Sequence, residues 1–221
     1  MGAATTHGGR MSENTSKLVI ITGSVREGRF GPVVTDWVAA RAHEHGGFDV
    51  TVVDLADVDL PLALPDGSPR SDSYPRPDGM RAVTERLDEA DAFVVVTPEY
   101  NHSYPASLKA LIDWHFTQWA AKPVAFVSYG GAAGGRHAVL HLENVFTELH
   151  AVTIRDGLAF PHYYATWEEG APLDDSAPCT RRPCWSSCPG GPTRSAPRGK
   201  RCPTRAERRA ASWGDDGSRH P

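Results

Sequence analysis

The side chains best suited to bind a ligand stand in a polar, glycine-containing segment that follows the first apolar run of the sequence. Ser24 offers a hydroxyl, and Arg26 and Arg29 offer guanidinium groups that can bind phosphate oxygens in pairs. The backbone N–H groups of Phe30 and Gly31 fall where the next helix would begin, and helix N-termini bind anions. This segment therefore predicts a site for a monophosphate group.

Two better-known phosphate motifs do not fit the same segment. Gly23 and Gly28 have the spacing of a Walker A loop, but Arg29 and Phe30 follow them in place of Lys and Ser or Thr. The hydroxyl that would hold Mg²⁺ is missing from the pattern, which argues against a nucleoside triphosphatase. The segment does not have the Gly-x-Gly-x-x-Gly pattern of dinucleotide sites either. An ordinary strand-to-helix turn with solvated arginines remains open for this segment alone.

A second polar segment follows the most strand-like run of the chain. It carries Pro98, Glu99, Tyr100 and Asn101, with Tyr104 close behind. The two tyrosine rings can flank a flat ligand, while the Asn101 amide and nearby N–H groups can bond the polar edge of that ligand. The alternative is a proline-bounded turn whose polar side chains satisfy only local backbone groups.

A third segment, 130–135, consists of glycine and alanine and follows an apolar run that ends at Tyr129. Gly130 and Gly131 would let the backbone approach a ligand closely. Glycine-rich turns are common, so this segment indicates a site only in combination with the other two.

Strand-like and helix-like runs alternate between these segments. Apolar runs predict strands over residues 17–22, 49–55, 92–97, 122–129 and 152–156. Helical periodicity predicts helices over residues 32–45, 79–90, 106–119 and 136–150. This alternation indicates an α/β fold, a parallel sheet with helices on both faces. Ligands of such sheets bind outside the carboxyl ends of the strands, where the three segments would converge.

Together the three segments resemble the NADPH-dependent FMN reductases, a flavodoxin-like group that includes quinone, azo-dye and chromate reductases. The resemblance covers residues 17–165 and rests on three motifs: Gly23-Ser24-Val25-Arg26-Glu27-Gly28-Arg29, Pro98-Glu99-Tyr100-Asn101-His102-Ser103 and Ser128-Tyr129-Gly130-Gly131. It implies a flavodoxin-like, doubly wound sheet of five parallel strands in the order 2-1-3-4-5.

The cofactor implied by this resemblance is FMN. Its phosphate would lie against Ser24, Arg26, Arg29, Phe30 and Gly31. Its ring system would lie along Pro98, Glu99, Tyr100 and Asn101 on one side and Tyr129, Gly130 and Gly131 on the other. Many relatives have Ser and Asn where Arg29 and Gly31 stand here, so a guanidinium would replace a hydroxyl in phosphate binding.

The activity implied is that of an NAD(P)H-dependent FMN reductase with ping-pong kinetics. A hydride would pass from NADPH or NADH to FMN and then to a quinone, azo compound or similar small acceptor. The alternative is an FMN-binding electron carrier or redox sensor without nicotinamide turnover. No side chain is assigned a catalytic role, and His102 is interpreted as a solvated loop residue. No metal site is predicted, because His137 and His141 have no third ligand near them in the sequence.

The composition fits one folded domain in the cytoplasm. The chain has 221 residues, 40% of them hydrophobic, which suffices for a substantial core. No apolar run reaches the roughly 18 residues that cross a bilayer. Residues 17–178 are predicted to form the flavodoxin-like domain, and residues 1–16, small and polar, a disordered extension. The resemblance implies a homodimer or homotetramer. The lack of a long apolar run predicts no membrane partner, and nucleic acid is not the expected partner.

Residues 179–221 differ sharply from the rest of the chain. They hold 10 Lys and Arg against 3 Asp and Glu, a net +7, whereas residues 1–178 hold 13 against 24, a net −11. They contain all four cysteines and no Val, Ile, Leu, Met, Phe or Tyr, so they are predicted to be disordered. The last helix of the fold would then be missing or replaced, and apolar surface on the sheet would stay uncovered unless another subunit fills it.

Three explanations of this tail remain open. A frameshift in the coding sequence would account for both the change of charge and the clustering of cysteines. A natural basic tail is the second explanation. A zinc site built from Cys179, Cys184, Cys188 and Cys202 is the third, although the spacings lack the usual C-x2-C pairs.

Overall fold

The computed structural model describes residues 15–173 of the chain. The predicted N-terminal extension lies outside these residues, except that the first strand already begins at Ser16. The predicted basic tail, with its four cysteines, lies outside them as well.

The centre of the fold is a parallel sheet in the strand order 2-1-3-4-5, as predicted. Its strands are β1 (Ser16–Thr22), β2 (Phe48–Asp54), β3 (Ala92–Pro98), β4 (Pro123–Gly130) and β5 (Val152–Thr153). Every residue of β3 is buried, because helices cover both faces of the sheet at this central strand. The central position of β3 in the sheet therefore explains why its sequence is a continuous apolar run.

The edge beyond β4 is more broken than the sequence predicts. Instead of one strand over residues 152–156, β5 ends at Thr153, and a further strand, β6 (Leu158–Pro161), pairs in parallel with the last residues of β4. Gly157 lies between the two strands, where a Cβ atom would stand 3.0 Å from the carbonyl oxygen of Phe126. The backbone at Gly157 thus lies close to the backbone of β4, and this turn separates β5 from β6.

Five helices follow or connect the strands of the described part. They are α1 (Gly31–His45), α2 (Arg81–Glu89), α3 (Ala106–Trp114), α4 (Arg136–Glu148) and the short α5 (Tyr163–Thr166). The starts and ends of α1, α2 and α4 agree with the predicted ranges within two residues, whereas α3 ends early and α5 was not predicted. None of the described helices is long and apolar enough to span a membrane.

The prediction that α3 extends to residue 119 was wrong, because the helix ends at Trp114. His115 adopts an extended backbone with φ −133° and ψ 141°, and a 3-10 turn (Thr117–Trp119) follows. This change of direction inserts Trp119 into the core between Phe93 and Phe146, at ring-centroid distances of 4.8 and 5.3 Å. Burial of a large aromatic ring outweighs the continuation of a regular helix here.

The sequence predicts that the last helix of the fold is missing or replaced. In the structure, aromatic side chains cover part of the sheet face on which α1 lies. Within residues 15–173, the chain after β6 forms only α5 and a two-stranded hairpin, β7 (Trp167–Glu168) and β8 (Ala171–Pro172). Trp167 packs against Phe160 at 4.9 Å and against Trp37 at 5.9 Å. The described segment thus replaces part of the cover that a longer helix would give.

Candidate functional site

The three polar segments meet at the carboxyl ends of β1, β3 and β4. The amide of Gly23 donates to the carbonyl of Val96 at 2.8 Å, and the hydroxyl of Ser107 donates to the carbonyl of Gly23 at 2.7 Å. The hydroxyl of Tyr129 donates to Ser24 Oγ at 3.2 Å. These bonds join the loop after β1 (the first loop) to β3, α3 and β4, the elements that flank the loop after β3 (the second loop) and the loop after β4 (the third loop). The convergence expected from a parallel sheet is therefore present.

The N-terminus of α1 lies at this meeting point. Phe30 is the residue before the helix, and among residues 15–173 no side chain caps it with a hydrogen bond. Gly31 begins the helix, and a Cβ atom there would lie 2.4 Å from Ser24 Oγ and 3.1 Å from the Tyr129 hydroxyl. Only glycine fits at this position, and the helix N-terminus keeps donors for an anion.

The two arginines of the first loop have different surroundings. Arg29 is largely covered and forms an ion pair with Asp54, with 2.5 Å between Nη2 and Oδ2. Its Nε is buried and finds no hydrogen-bond partner within the described residues. Arg26 is exposed and forms no ion pair with any residue of the 15–173 range. Both guanidinium groups therefore keep donors that a ligand could use.

Ser24 is fully buried, and its Oγ accepts the hydrogen bond of Tyr129. The serine O–H has no acceptor among the residues that the structure describes. A buried donor without an acceptor is unfavourable unless a ligand or water completes it. The hydroxyl of Ser24, the Nε of Arg29, the guanidinium of Arg26 and the first N–H groups of α1 match the donors that a phosphate monoester needs.

Tyr129 lies beneath the first loop. Its ring is 3% exposed and packs against Phe30 and Tyr163, with centroids 5.9 and 5.3 Å away. Burial raises the pKa of the Tyr129 phenol, so the hydroxyl stays protonated and able to donate to Ser24. The ring supports the loop, whereas the prediction that Tyr129 also lines the flavin stays a prediction.

The second loop forms a tight turn between Tyr100 and Ser103, which exchange two backbone hydrogen bonds of 2.8 and 3.1 Å. Asn101 and His102 occupy the centre of the turn, with φ values of 48° and 69°. Burial raises the pKa of Tyr100, and the charge of Arg26 opposes that shift. The phenol therefore lies within electrostatic reach of the first loop, while the Asn101 side chain is exposed at the tip.

Pro98 is buried as the last residue of β3, and the carboxylate of Glu99 contacts the first turn of α4. One carboxylate oxygen of Glu99 lies 3.0 Å from Nδ1 of His137, and the other accepts from the His137 backbone N–H at 3.3 Å. Glu99 was predicted to lie beside a flavin ring. Its contacts in the structure are with the helix that follows the third loop.

The third loop is shaped by its glycines. Gly130 is buried, with its missing Cβ position 3.0 Å from the amide nitrogen of Gly135, whereas Gly131 opens to free space. Gly134 and Gly135 have φ values of 64° and 85°, and Ser128 Oγ donates to the carbonyl of Gly134 at 2.8 Å. The backbone at Gly131 is thus open on the side where a ligand would approach.

Sequence reasoning missed two relationships at this site. Asp54 ends β2 and neutralises part of the charge of Arg29, which the shared carboxyl edge of β1 and β2 could have indicated. Glu99, His102 and His137 come together with ligand atoms within 4.8 Å of one another. The 35 to 38 positions between His137 and the other two leave no sequence spacing that indicates this cluster.

Comparisons with known proteins agree on one family. The sequence model described as NADPH-dependent FMN reductase matches residues 16–165. An NAD(P)H-dependent FMN reductase of Schizosaccharomyces pombe is 39% identical over 123 residues, which is 55% of this chain and 61% of that protein. A 2-hydroxy-1,4-benzoquinone reductase of a Burkholderia species is 31% identical over 159 residues, covering 69% of this chain and 80% of that protein.

A solved structure has the same fold at lower sequence identity. FerB, described as a flavoenzyme NAD(P)H:(acceptor) oxidoreductase from Paracoccus denitrificans, superposes with a TM-score of 0.56 and 22% identity. The match covers 73% of this chain and 88% of that one. At this identity the similarity concerns the fold alone.

Proposed function

The chain belongs to the NADPH-dependent FMN reductase family, and we propose that it binds FMN and reduces a small acceptor with NADPH or NADH. The match to the S. pombe reductase spans less than two thirds of that protein, so activity and substrates are inferred from the site of this chain. The observation that carries the proposal is the set of unpaired donors at the first loop.

The phosphate of FMN accounts for those donors. Arg29 Nε is buried without a hydrogen-bond partner in the described structure, and Ser24 in the same loop keeps a free O–H. Arg26 supplies a second guanidinium from the surface, and the uncapped start of α1 supplies backbone N–H groups. A phosphate monoester carries nearly two negative charges and three acceptor oxygens at neutral pH, which fits this donor set.

The second and third loops would hold the ring system. Tyr100 is half-buried beside the arginines of the first loop, and Asn101 presents an exposed amide that can bond the polar edge of a flat ring. The open backbone at Gly131 lets such a ring approach the third loop closely. Pro98, the last residue of β3, has no backbone N–H, so hydrogen bonds to the ring system would have to come from neighbouring residues.

Bound FMN supplies the chemistry, because it accepts a hydride from a nicotinamide and passes it on. The protein contributes phosphate anchoring and N–H donors, and Asn101 and Gly131 leave this edge of the sheet open to solvent. One open face can serve two substrates only in succession, which supports ping-pong kinetics. A quinone or a similar flat compound is the proposed acceptor, supported by the named activity of the Burkholderia relative.

A homo-oligomer is part of this proposal. Val25, Leu62 and Leu64 are exposed to 47%, 79% and 47%. Val25 and Leu62 border an apolar pocket against α3, next to the phosphate loop. Exposed apolar side chains grouped in this way are typical of interfaces between subunits. The molar mass in solution from light scattering tests this part, and a monomer would contradict it.

The experiment that tests the function is identification of the flavin released from the purified protein, followed by anaerobic addition of NADPH and NADH to the holoprotein. Bound FMN that is reduced by either nucleotide supports a reductase. Bound FMN that neither nucleotide reduces would favour the electron carrier instead.

A further inference from the structure

Glu99, His102 and His137 form a compact group beside the second loop. Their ligand atoms lie within 4.8 Å of one another. Glu99 Oε1 and His137 Nδ1 are 3.0 Å apart, and the rings of His102 and His137 stack at 3.7 Å with an angle of 21° between their planes. Two imidazoles and one carboxylate therefore converge on one small volume at the protein surface.

The backbone holds His102 in this group at an unfavourable conformation. His102 has φ 69° at the second central position of the turn between Tyr100 and Ser103, where glycine is the preferred residue. A side chain in the left-handed region is unfavourable, because its Cβ atom lies too close to the carbonyl oxygen that follows. The turn thus carries an imidazole at a position where the backbone conformation favours glycine.

Helix α4 holds the other side of the group. The carboxylate of Glu99 bonds both the ring and the backbone N–H of His137. One turn further along α4, Nδ1 of His141 lies 2.9 Å from Ser103 Oγ. Two separate contacts therefore fix the loop against the helix, which brings the three potential ligands close to one another before any ion binds.

From this geometry we propose that Glu99, His102 and His137 bind a divalent transition-metal ion of the zinc class. Two imidazole nitrogens and one carboxylate oxygen are a known ligand set for Zn²⁺, with bonds of about 2.0–2.2 Å and one position open to water. A tetrahedral ion of this kind brings its ligand atoms to about 3.3 Å from one another. Ligand atoms up to 4.8 Å apart must therefore close by up to about 1.5 Å, and the stacked imidazoles must turn so that a nitrogen lone pair of each ring faces the ion. His102 is exposed, which gives an ion a path from solvent.

A bound ion would clamp the second loop to α4. The same loop carries Tyr100 and Asn101, so the metal would fix the position of the proposed ring-binding residues. Metal binding by this group does not depend on the proposed function, because the hydrogen bonds that form it join only the second loop and α4.

Titration of the purified full-length chain with zinc chloride, followed by calorimetry, tests the proposal. The cysteines of residues 179–221 are first alkylated so that thiolates cannot bind the ion. His102→Gly keeps the turn, since glycine suits this backbone, and His137→Gln removes the second imidazole. His43→Gln is the matched control, because His43 is an exposed histidine on α1, far from the group in sequence.

We expect one zinc-binding event in the parent chain to disappear or weaken at least about tenfold in both variants, since loss even of supporting groups has such an effect. The control should retain that event. Equal isotherms for the parent chain and both variants, with circular dichroism showing them folded, would overturn the proposal. The titration needs no reductase activity, so a failed zinc site leaves the flavin proposal standing, and the reverse holds too.

Discussion

The hydroxyl of Tyr129, at the end of β4, donates a hydrogen bond of 3.2 Å to Ser24 Oγ in the loop after β1. Both side chains are buried, and the missing Cβ position of Gly31 lies against both oxygen atoms. The bond joins two strand ends that are not neighbours in the sheet. It fixes the oxygen of Ser24 while leaving the serine proton free for a ligand.

Tyr129→Phe should weaken this connection without changing the packing of the ring. A hydrogen bond contributes about 0.5–1.5 kcal/mol net, so we expect the free energy of unfolding in urea to fall by about 1 kcal/mol. FMN affinity should fall several-fold, because Ser24 loses its fixed position. Tyr163→Phe is the control, since the Tyr163 hydroxyl has no hydrogen bond within residues 15–173. Equal stability of both variants would contradict the role given to the Tyr129 hydroxyl.

Gly31→Ala tests how tightly the helix start is packed. The added Cβ would meet Ser24 Oγ at 2.4 Å and Thr22 Cγ2 at 3.0 Å, so the loop must shift. Overpacking of this kind typically costs about 1–3 kcal/mol, whereas alanine in an open helix start would stabilise. Urea denaturation and FMN titration measure both effects. Gly79→Ala is the control, because its nearest neighbour would be 3.9 Å away, and a Gly31 variant as stable as this control contradicts the packing.

Arg26→Gln separates phosphate binding from folding. Arg26 is exposed and has no ionic partner in the described structure, so its loss should leave the melting temperature unchanged. We expect FMN affinity, measured by flavin fluorescence quenching, to fall about 5- to 30-fold, because a charge-assisted hydrogen bond to the phosphate is lost. Arg81→Gln removes another exposed arginine, on α2, and should leave FMN affinity unchanged. Equal affinities of the two variants would exclude Arg26 from the site.

His115 should make the protein less stable in mild acid. Burial lowers the pKa of this imidazole from 6.5 to about 4, although a hydrogen bond with the Leu111 carbonyl opposes the shift. Above pH 6.5 the histidine is neutral in both states and contributes no pH dependence. Between pH 6.5 and 4 the unfolded chain binds a proton at this histidine that the folded chain does not bind. The free energy of unfolding therefore decreases as the pH is lowered through this range. The full loss from this group is about 3 kcal/mol.

Urea denaturation between pH 7 and pH 4.5 measures this dependence. His115→Gln should flatten the curve in that range, although it lowers stability at pH 7, because Thr84 Oγ1 loses its partner at 2.9 Å. A slope that is the same with and without His115 would mean that the buried imidazole does not titrate as described.

The sequence predicts most of the fold because apolar periodicity records which faces are buried. The all-buried β3 and the glycines around the loops could be recognised for that reason, and the family resemblance supplied the strand order. The end of α3 could not be predicted, because Trp119 leaves the helix to fill a space between Phe93 and Phe146, which lie far from it in the sequence. Long-range packing decided that boundary.

The site was predictable only in its loops. Ser24, Arg26 and Arg29 could be proposed as phosphate ligands because they precede a helix. The pairing of Arg29 with Asp54 joins residues 25 positions apart, and the contact of Glu99 with His137 joins residues 38 positions apart. Neither pairing has a local sequence pattern, since both arise from the way parallel strands bring their carboxyl ends to one edge.

The central claim is that the unpaired donors of the first loop hold FMN, which a nicotinamide then reduces. The most direct test is the visible spectrum of the full-length protein after reconstitution with FMN, recorded without oxygen before and after addition of NADPH or NADH. We predict stoichiometric FMN whose oxidised absorption is bleached by at least one nucleotide and restored by benzoquinone. A folded protein that retains no FMN after reconstitution would contradict the claim.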